Sequence, residues 1–420
     1  ISSDEKAAAL GIPGAVVLQD TDVLAGKKIG CSICYKGDEW CAALAAGLEA
    51  LGAYYGVENM ICDDGDLNDE TQTKQVENMI ANKVDIILCD PTTPDGVGIA
   101  LNKAVDAGIP IIIYDGYWNE GAEKAITTVT WDQKATGTLI GEYFVDYIKA
   151  NCGGKATIVE LTNAVSTHCQ ERFVGLHEVF DASGCDIEII GLYDSEGNRE
   201  KAYNAITAVV EPFDFVISDV DNGAQGAVAA LQAAGKTDVK VLSMGAYGKE
   251  PFSKLYNNDV NYLACLNVDA WVLAQYIFDG AINYFSGVEN VPQTNIALFM
   301  VDNANGTASV QVVLDANTTY DFKVVENGNW LGNAGTMDSG NCTGWVFATG
   351  EPDAKILSGK AGQYTFTWNY DKDELTVTYP TTTGLENLDT TVTPAKVIEN
   401  GKLIIIKNGI KYTVAGAIVK

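Results

Sequence analysis

From Lys28 to about Phe285 the hydrophobic positions alternate between two textures. Short runs that are apolar at almost every position predict β-strands covered on both faces: KKIGCSIC, ENMIC, VDIILC, IPIIIYD, ATIVEL, DIEIIGLYD, FDFVISD, VKVLSMG and YLACLNV. Between them apolar residues recur at helical spacing. Trp40, Leu44, Leu48 and Leu51 make one stripe, Val76, Met79 and Ile80 another, and Leu139, Ile140, Tyr143, Phe144, Tyr147 and Ile148 a wide third. Pro94 opens the helix that carries Val97, Leu101 and Val105, and Gly108 ends it. This alternation predicts right-handed βαβ units. The units fall into two sets, which predicts two doubly wound α/β lobes. The first is read as about 27–131 and 262–292, the second as about 132–261 and 293–303, after an extension over 1–26. Hinges are expected near Thr130, Asn261 and Pro292, where this reading has the chain cross between lobes. Such sheets bind ligands at the carboxyl ends of their strands, so two facing lobes imply a cleft.

After Pro292 the helical period stops. TASVQVVLD, TYDFKVVENG, CTGWVFATG, AKILSG, GQYTFTWNY and ELTVTYP alternate apolar and polar residues between Asn, Gly and Asp turns, which predicts an all-β sandwich over 304–380. A Thr-rich linker follows. The tail, within 381–420, places two apolar strands around Asn408-Gly409, a hairpin signal.

Composition changes the picture in two ways. With 420 residues, 47% hydrophobic and 20% charged, the chain is too long for one core. Its net charge of -29 argues against nucleic acid and anionic membrane surfaces as partners, although solubility alone would explain the same excess. Apolar runs such as Ile296 to Val301 are far shorter than a membrane span. The chain begins at Ile1 with no basic-then-apolar leader and is read as a processed form that has lost a signal peptide or lipid-anchor cysteine.

Nine of the ten cysteines precede residue 270, scattered singly. Cys31 and Cys34 form a C-x-x-C, but within a strand and not at a helix N-terminus. They are read as small buried hydrophobes, not as a redox pair. The histidines, His168 and His177, are read as surface or helix-face residues, and zinc is not expected. The acidic cluster Asp63, Asp64, Asp66, Asp69 and Glu70 lacks the spacing of a calcium loop. No cofactor, no metal and no catalytic residue is assigned, because G-x-S-x-G, H-E-x-x-H and phosphate-loop patterns are missing from the sequence.

Several ordered landmarks carry a resemblance: KGDEWCAAL after the first strand, QTKQVENMIANKVDIILCDPTTPDGVGIALNKAVDAGIPIIIYD, WDQKATGTLIGEY, QERFVGL and DNGAQGAVAALQAAGK. Over roughly residues 27–303 the chain resembles the type I periplasmic binding proteins of the ribose-binding family, whose lobes are Rossmann-like. The resemblance implies a secreted, periplasmic or cell-surface solute-binding protein, a monomer that captures a small sugar for uptake or sensing with a membrane transporter or sensor. It implies that Trp40 stacks on the sugar ring, that Asp38 lies beside it, and that Asp115 accepts hydroxyl hydrogen bonds. The sequence departs from the family at Gly116 and Gln170, where arginines are usual, and at Val220, Gly245 and Leu266, where polar residues are usual. Tyr117, Trp118, Trp131, Tyr247 and Asn267 lie near the same strand ends and, with Gln170, complete the expected ligand set. A pyranose suits such a site, since its C–H faces pack on aromatic rings and its hydroxyls pair with carboxylates and amides.

YDFKVVENGNWLGNAG and GQYTFTWNYDKDELTVTYP resemble the carbohydrate-associated sandwich modules of Bacteroidetes surface proteins. Trp330 and Trp345 are the residues there that would contact a polysaccharide if they do not serve the sandwich core. KVIENGKLIIIKNGIKYTVAGAIVK resembles a type IX secretion sorting tail. Two other readings stand beside capture without chemistry: a carbohydrate-active enzyme, which needs two cleft carboxylates such as Asp38 and Asp115, and a surface scaffold whose lobes bind nothing. A gene regulator would need a basic helix-turn-helix before the first lobe, and residues 1–26 are too short and too acidic to provide one.

Overall fold

The computed structural model describes residues 3–302, except Gly14, Ala15, Val17, Asp38, Asn59, Val165 and Ala297, and beyond them the strand segments between Thr307 and Thr413. After α1 (Ser3–Ala9) the first lobe runs β1 (Ile29–Ile33), α2 (Glu39–Tyr54), β2 (Cys62–Asp64), α3 (Asp69–Ala81), β3 (Ile86–Cys89), α4 (Gly98–Asp106), β4 (Ile111–Tyr114) and β5 (Thr127–Thr130). The second lobe follows as α5 (Gln133–Asn151), β6 (Lys155–Thr162), α6 (Thr167–Ser183), β7 (Asp186–Asp194), α7 (Arg199–Ala208), β8 (Phe215–Ser218), α8 (Asp221–Ala233), β9 (Lys240–Ala246), α9 (Lys249–Tyr256) and β10 (Tyr262–Asn267). Then come α10 (Ala270–Phe285), β11 (Gln293–Asn295), β12 (Phe299–Asp302) and β13 (Thr307–Leu314).

The first sheet has the order β11-β5-β4-β3-β1-β2 and is parallel throughout. Every residue of β3 and β4 is buried, the burial that continuous apolar runs require when helices cover both faces. One face packs under α2 and α10 together with Ile12, Val16 and Leu24 of the N-terminal segment; the other packs under α3 and α4. The second sheet runs β7-β6-β8-β9-β10 in parallel, with α5 and α6 on one face and α7 and α8 on the other. It then continues antiparallel through β12 and β13 to the strands Gly362–Asn369, Glu374–Thr378 and Cys342–Val346. Among the described residues, this antiparallel sheet is what joins the region expected to be a sandwich to the second lobe. In the tail, Lys402–Lys407 pairs antiparallel with Ile410–Thr413 on either side of the predicted turn.

Two boundaries differ from the sequence reading. The strand at Tyr262 belongs to the second lobe, not the first, because β10 pairs with β9. Gln293–Asn295 belongs to the first lobe, because β11 pairs with β5. The chain therefore crosses at 131–132, 268–269 and 296–298. Asn261 is no hinge: it is buried inside the second lobe, where its side-chain amide donates to the carbonyls of Lys236 and Val239. Pro292 stays with the first lobe, its carbonyl accepting the Thr128 N–H. Strand order in a doubly wound sheet is set by pairing, which apolar texture does not encode. The crossing near Thr130 stands, and Asp132 caps α5 immediately after it by accepting the Ala135 N–H at 2.8 Å.

Candidate functional site

The strand ends of both sheets face each other, and side chains from the two lobes touch. Trp40, in the first turn of α2, is half-buried; its indole N–H donates to the Val268 carbonyl at 2.8 Å, on the second crossing. Its ring lies 5.7 Å from that of Trp131, on the first crossing, at 58°. The tryptophan pair thus spans two of the three crossings. Tyr117, in the loop after β4, stacks on His168, in the first turn of α6, with centroids 5.0 Å apart. The α2 N-terminus meets α9 where Glu39 approaches Gly248, whose left-handed φ of 84° favours glycine and where a Cβ would lie 3.1 Å from the Glu39 carboxylate.

Asp115 is half-buried and adopts a left-handed φ of 53°, which turns the chain sharply after β4. Its N–H donates to the Val129 carbonyl and its own carbonyl accepts from the Thr130 hydroxyl at 2.9 Å, so the strained turn is fixed on both sides. Behind it sits Asp90, 2% exposed, whose carboxyl is pushed well above the usual carboxylate range, first by burial and then by the Asp115 charge. Asp90 accepts the Cys34 N–H at 3.2 Å and braces Gly116. A side chain at Gly116 would begin 2.9 Å from the Asp90 carboxylate and 3.0 Å from Pro91. A side chain at this position would require Asp90 or Pro91 to shift.

The second-lobe wall centres on Arg172, which the sequence reading passed over. It is buried on α6, its Nε donating to the Gln133 side chain at 2.8 Å and its Nη1 to the Asp219 carbonyl at 2.6 Å. A Cβ at Gly245 would lie 3.1 Å from that Nη1, so Arg172 occupies the space that a larger residue at 245 would take. The helix is brought in close by two glycines: Cβ atoms at Gly137 and Gly175 would meet the carbonyl oxygens of Arg172 and Lys134 at 1.7 and 2.0 Å. The signal for Arg172 was rarity. It and Arg199 are the two arginines of the chain, and Arg172 sits among Cys169, Phe173 and Leu176 on the buried stripe of its helix.

The remaining expected residues divide. Tyr247 is half-buried and packs against the first-lobe core, and Asn267 ends β10, half-buried. Gln170 is turned back onto its own sheet, donating to the Thr162 hydroxyl at 2.8 Å and the Asn163 carbonyl at 3.1 Å. Trp118 leaves the ligand set. It is 1% exposed in the apolar layer of α3 and α4, wedged against Gly121 and Gly98 with Lys124 over its ring. Aromatic character alone does not distinguish that core position from a cleft wall. His168 lies on the face of α6, half-buried, where burial lowers its pKa and its ring makes a hydrogen bond to the Asp115 backbone. Asp38 lies outside the described residues, as do the side chains of Trp330 and Trp345, whose backbones run in the strands Asn329–Gly332 and Cys342–Val346.

Several buried polar atoms have no hydrogen-bond partner among the described residues, among them Trp131 Nε1, Gln133 Nε2, Asn163 Oδ1, His168 Nε2 and Asp219 Oδ1, as well as Trp118 Nε1 in the core. Each such atom costs about 1–3 kcal/mol when left unpaired. Trp131 and Gln133 offer donors, and Asn163 and Asp219, reached from Gln133 through Arg172, offer acceptors. The buried cation of this wall, Arg172, spends two of its N–H groups on Gln133 and Asp219. Among the described residues no group of three or more His, Cys, Asp or Glu is arranged to hold a metal ion. No described helix is long and apolar enough to cross a membrane.

A family model described as a periplasmic binding protein domain matches residues 29–289. The D-ribose/D-allose-binding protein of Pseudomonas aeruginosa is 28% identical over 194 residues, 44% of this chain and 59% of that protein. The ribose import binding protein RbsB of Escherichia coli is 27% identical over 188 residues, 44% of this chain and 61% of that protein. The chain thus spans about six-tenths of the length of these curated relatives. In structure, an ABC transporter solute binding protein from Bacillus halodurans with bound myo-inositol matches 67% of this chain and 96% of its own with a TM-score of 0.60, at 22% identity. That likeness establishes the fold: two parallel-sheet lobes of the type I periplasmic binding protein kind.

Proposed function

We propose, from the premise that this chain belongs to the periplasmic binding protein family, that it captures a small carbohydrate between its lobes, outside the cytoplasm, and catalyses nothing. The observation that carries the reading is the Trp40–Trp131 pair, whose Trp131 Nε1 is itself unpartnered, together with the wall in which Gln133, Arg172, Asp219 and Asn163 are hydrogen-bonded in series and carry further unpartnered polar atoms. A ring with apolar faces and a belt of hydroxyls satisfies both, whereas an apolar ligand would leave the polar atoms unpaired. The sugar-binding relatives support the same class. In this reading Trp40, Trp131, Asp115, Tyr117, Tyr247, Asn267 and Asp38 contact the ligand, joined by His168 and Gln133, while Arg172 holds the wall. The cleft's ionisable groups are mainly carboxylates, so neutral sugars and polyols bind and sugar acids do not.

The ligand-loaded form is read by a transporter or sensor. The unit spans about 27–303; the region 304–380 is a carbohydrate-associated module able to meet polysaccharide through Trp330 or Trp345, and 381–420 holds a linker and sorting tail. The protein works as a monomer.

The test is thermal unfolding of the full chain against neutral monosaccharides, polyols and the matching uronic acids. A neutral ligand at 100 times its Kd adds about 2.7 kcal/mol and raises the melting temperature. Loss of that shift in Trp40→Ala supports the cleft. A panel in which no sugar or polyol moves the transition overturns the reading.

A further inference from the structure

We propose that Cys31 and Cys62 are joined by a disulfide in the mature protein, and that this bond staples the edge of the first lobe's sheet. The two residues are direct partners in the parallel pairing of β1 with β2, in register with Ser32↔Asp63 and Ile33↔Asp64. Their sulfurs lie 2.9 Å apart, both buried, and the Tyr114 hydroxyl caps them at 3.7 and 3.8 Å while donating to the Ser32 carbonyl. Neighbouring strands are about 4.8 Å apart, inside the range of roughly 4.4–6.8 Å that a disulfide spans between Cα atoms. The sulfurs need to close by about 0.9 Å to reach a bond of roughly 2.05 Å. β2 can supply that movement: it is three residues long, forms the edge of the sheet, and is paired on one side only.

The C-x-x-C is divided by the fold. Cys31 turns into the core toward Cys62, and Cys34 lies beyond the strand end, hydrogen-bonded to Cys41. Burial is also the first reason the Cys31 thiol is held above its ordinary pKa, followed by the contact with Cys62. The pair is therefore no exposed thiolate of the catalytic or sensing kind. A bond there is structural, and it closes the segment that contains all of α2 and with it Trp40.

The bond forms by exchange with an external disulfide, such as oxidised glutathione or an oxidised thiol-disulfide oxidoreductase. One cysteine thiolate attacks a sulfur of that disulfide; its S–S bond breaks and one thiol leaves with the electron pair and a proton. The second cysteine thiolate then attacks the mixed disulfide and releases the second thiol. The two cysteine S–H groups are oxidised and the external disulfide is reduced to two thiols. Because both sulfurs are buried, the exchange belongs to the folding chain or to an opened edge strand. The proposal rests on the extracytoplasmic reading only for its oxidant. In vitro a glutathione buffer supplies one, so the test stands whichever sugar, if any, the cleft binds.

The full chain is refolded in a reduced/oxidised glutathione buffer, alkylated in denaturant without reduction, digested and analysed by mass spectrometry. The expected result is a peptide pair linked through Cys31 and Cys62. Reduction should lower the melting temperature of the wild type by roughly 5 °C, and this difference should vanish in Cys62→Ala. Full alkylation of both cysteines, or a Cys31–Cys34 link, overturns the proposal, and neither result requires a variant to fold.

Discussion

The ring of Tyr117 lies 5.0 Å from the ring of His168 at an interplanar angle of 25°, and the two residues belong to opposite lobes. Stacking of this kind contributes about 0.5–1.5 kcal/mol beyond the area it buries. It favours the closed arrangement before any ligand adds its own contacts. Tyr117→Ala should therefore raise the radius of gyration of the unliganded protein in solution scattering and weaken ligand binding by roughly 2–10-fold. Unchanged scattering and affinity would mean that other contacts hold the lobes together.

The same contact carries a pH dependence. Burial lowers the His168 pKa, partly offset by the nearby Asp115 charge, so the closed form disfavours the imidazolium. The sign follows from linkage. A histidine whose pKa is depressed on closure contributes fully above its open-state value of about 6.5, and that contribution is lost as pH falls below it. Ligand affinity measured by calorimetry should fall between pH 7 and pH 5 in the wild type and flatten in His168→Gln.

Arg172 stands where two helices leave no slack. Gly137→Ala would drive a methyl group into the Arg172 carbonyl, a contact of 1.7 Å before relaxation, with backbone on both sides. We expect a loss of about 3 kcal/mol or more in denaturant unfolding, at the upper end for overpacking. Arg172→Lys should cost less stability but more function, because one ammonium does not reproduce two N–H groups directed at Gln133 and the Asp219 carbonyl. Its mark would be a melting temperature within a few degrees of wild type with affinity reduced tenfold or more.

Asp279 gives a stability test far from the cleft. It is 2% exposed, and burial raises its pKa to about 7, although Gln19 at 2.6 Å and Gln275 at 2.5 Å both donate to it. A carboxyl raised on folding is best tolerated when protonated. Its stabilising contribution is complete below about pH 4 and is lost as pH rises through about 7. Asp279→Asn keeps an oxygen for both glutamines and removes the charge, so at pH 8 it should stabilise the protein by roughly 2–4 kcal/mol. The gain should shrink toward zero at pH 4; a difference independent of pH would contradict the buried-carboxylate account.

The lobes were legible because their strands are apolar on both faces: the run Ile111–Tyr114 has no polar residue to give it a wet side, and it is buried throughout. That Trp40 opens a helix after the first strand was legible from the resemblance, and it does lie in the first turn of α2. Pairing and depth were not. Tyr262 looks the same whether its strand closes one sheet or extends the other, and hydrogen-bond partners decide between them. Trp118 and Trp131 lie thirteen positions apart with nearly equal burial, yet one fills the layer beneath α4 and the other meets Trp40. His168 and Arg172 share a helix turn that reads as an ordinary amphipathic start. Their importance comes from what the first lobe and the strand ends bring against them.

The antiparallel strands that follow β10 are bonded to it edge to edge, so they form a beam built into the second lobe and not a pendant on a string. Five strands at about 4.8 Å each carry the far edge roughly 24 Å from β10. At that radius every degree of lobe rotation sweeps the tip through about 0.4 Å. If the lobes rotate on capturing the proposed ligand, the movement would be amplified into a displacement at that edge, where an attached gauge would read the state of the cleft without touching it.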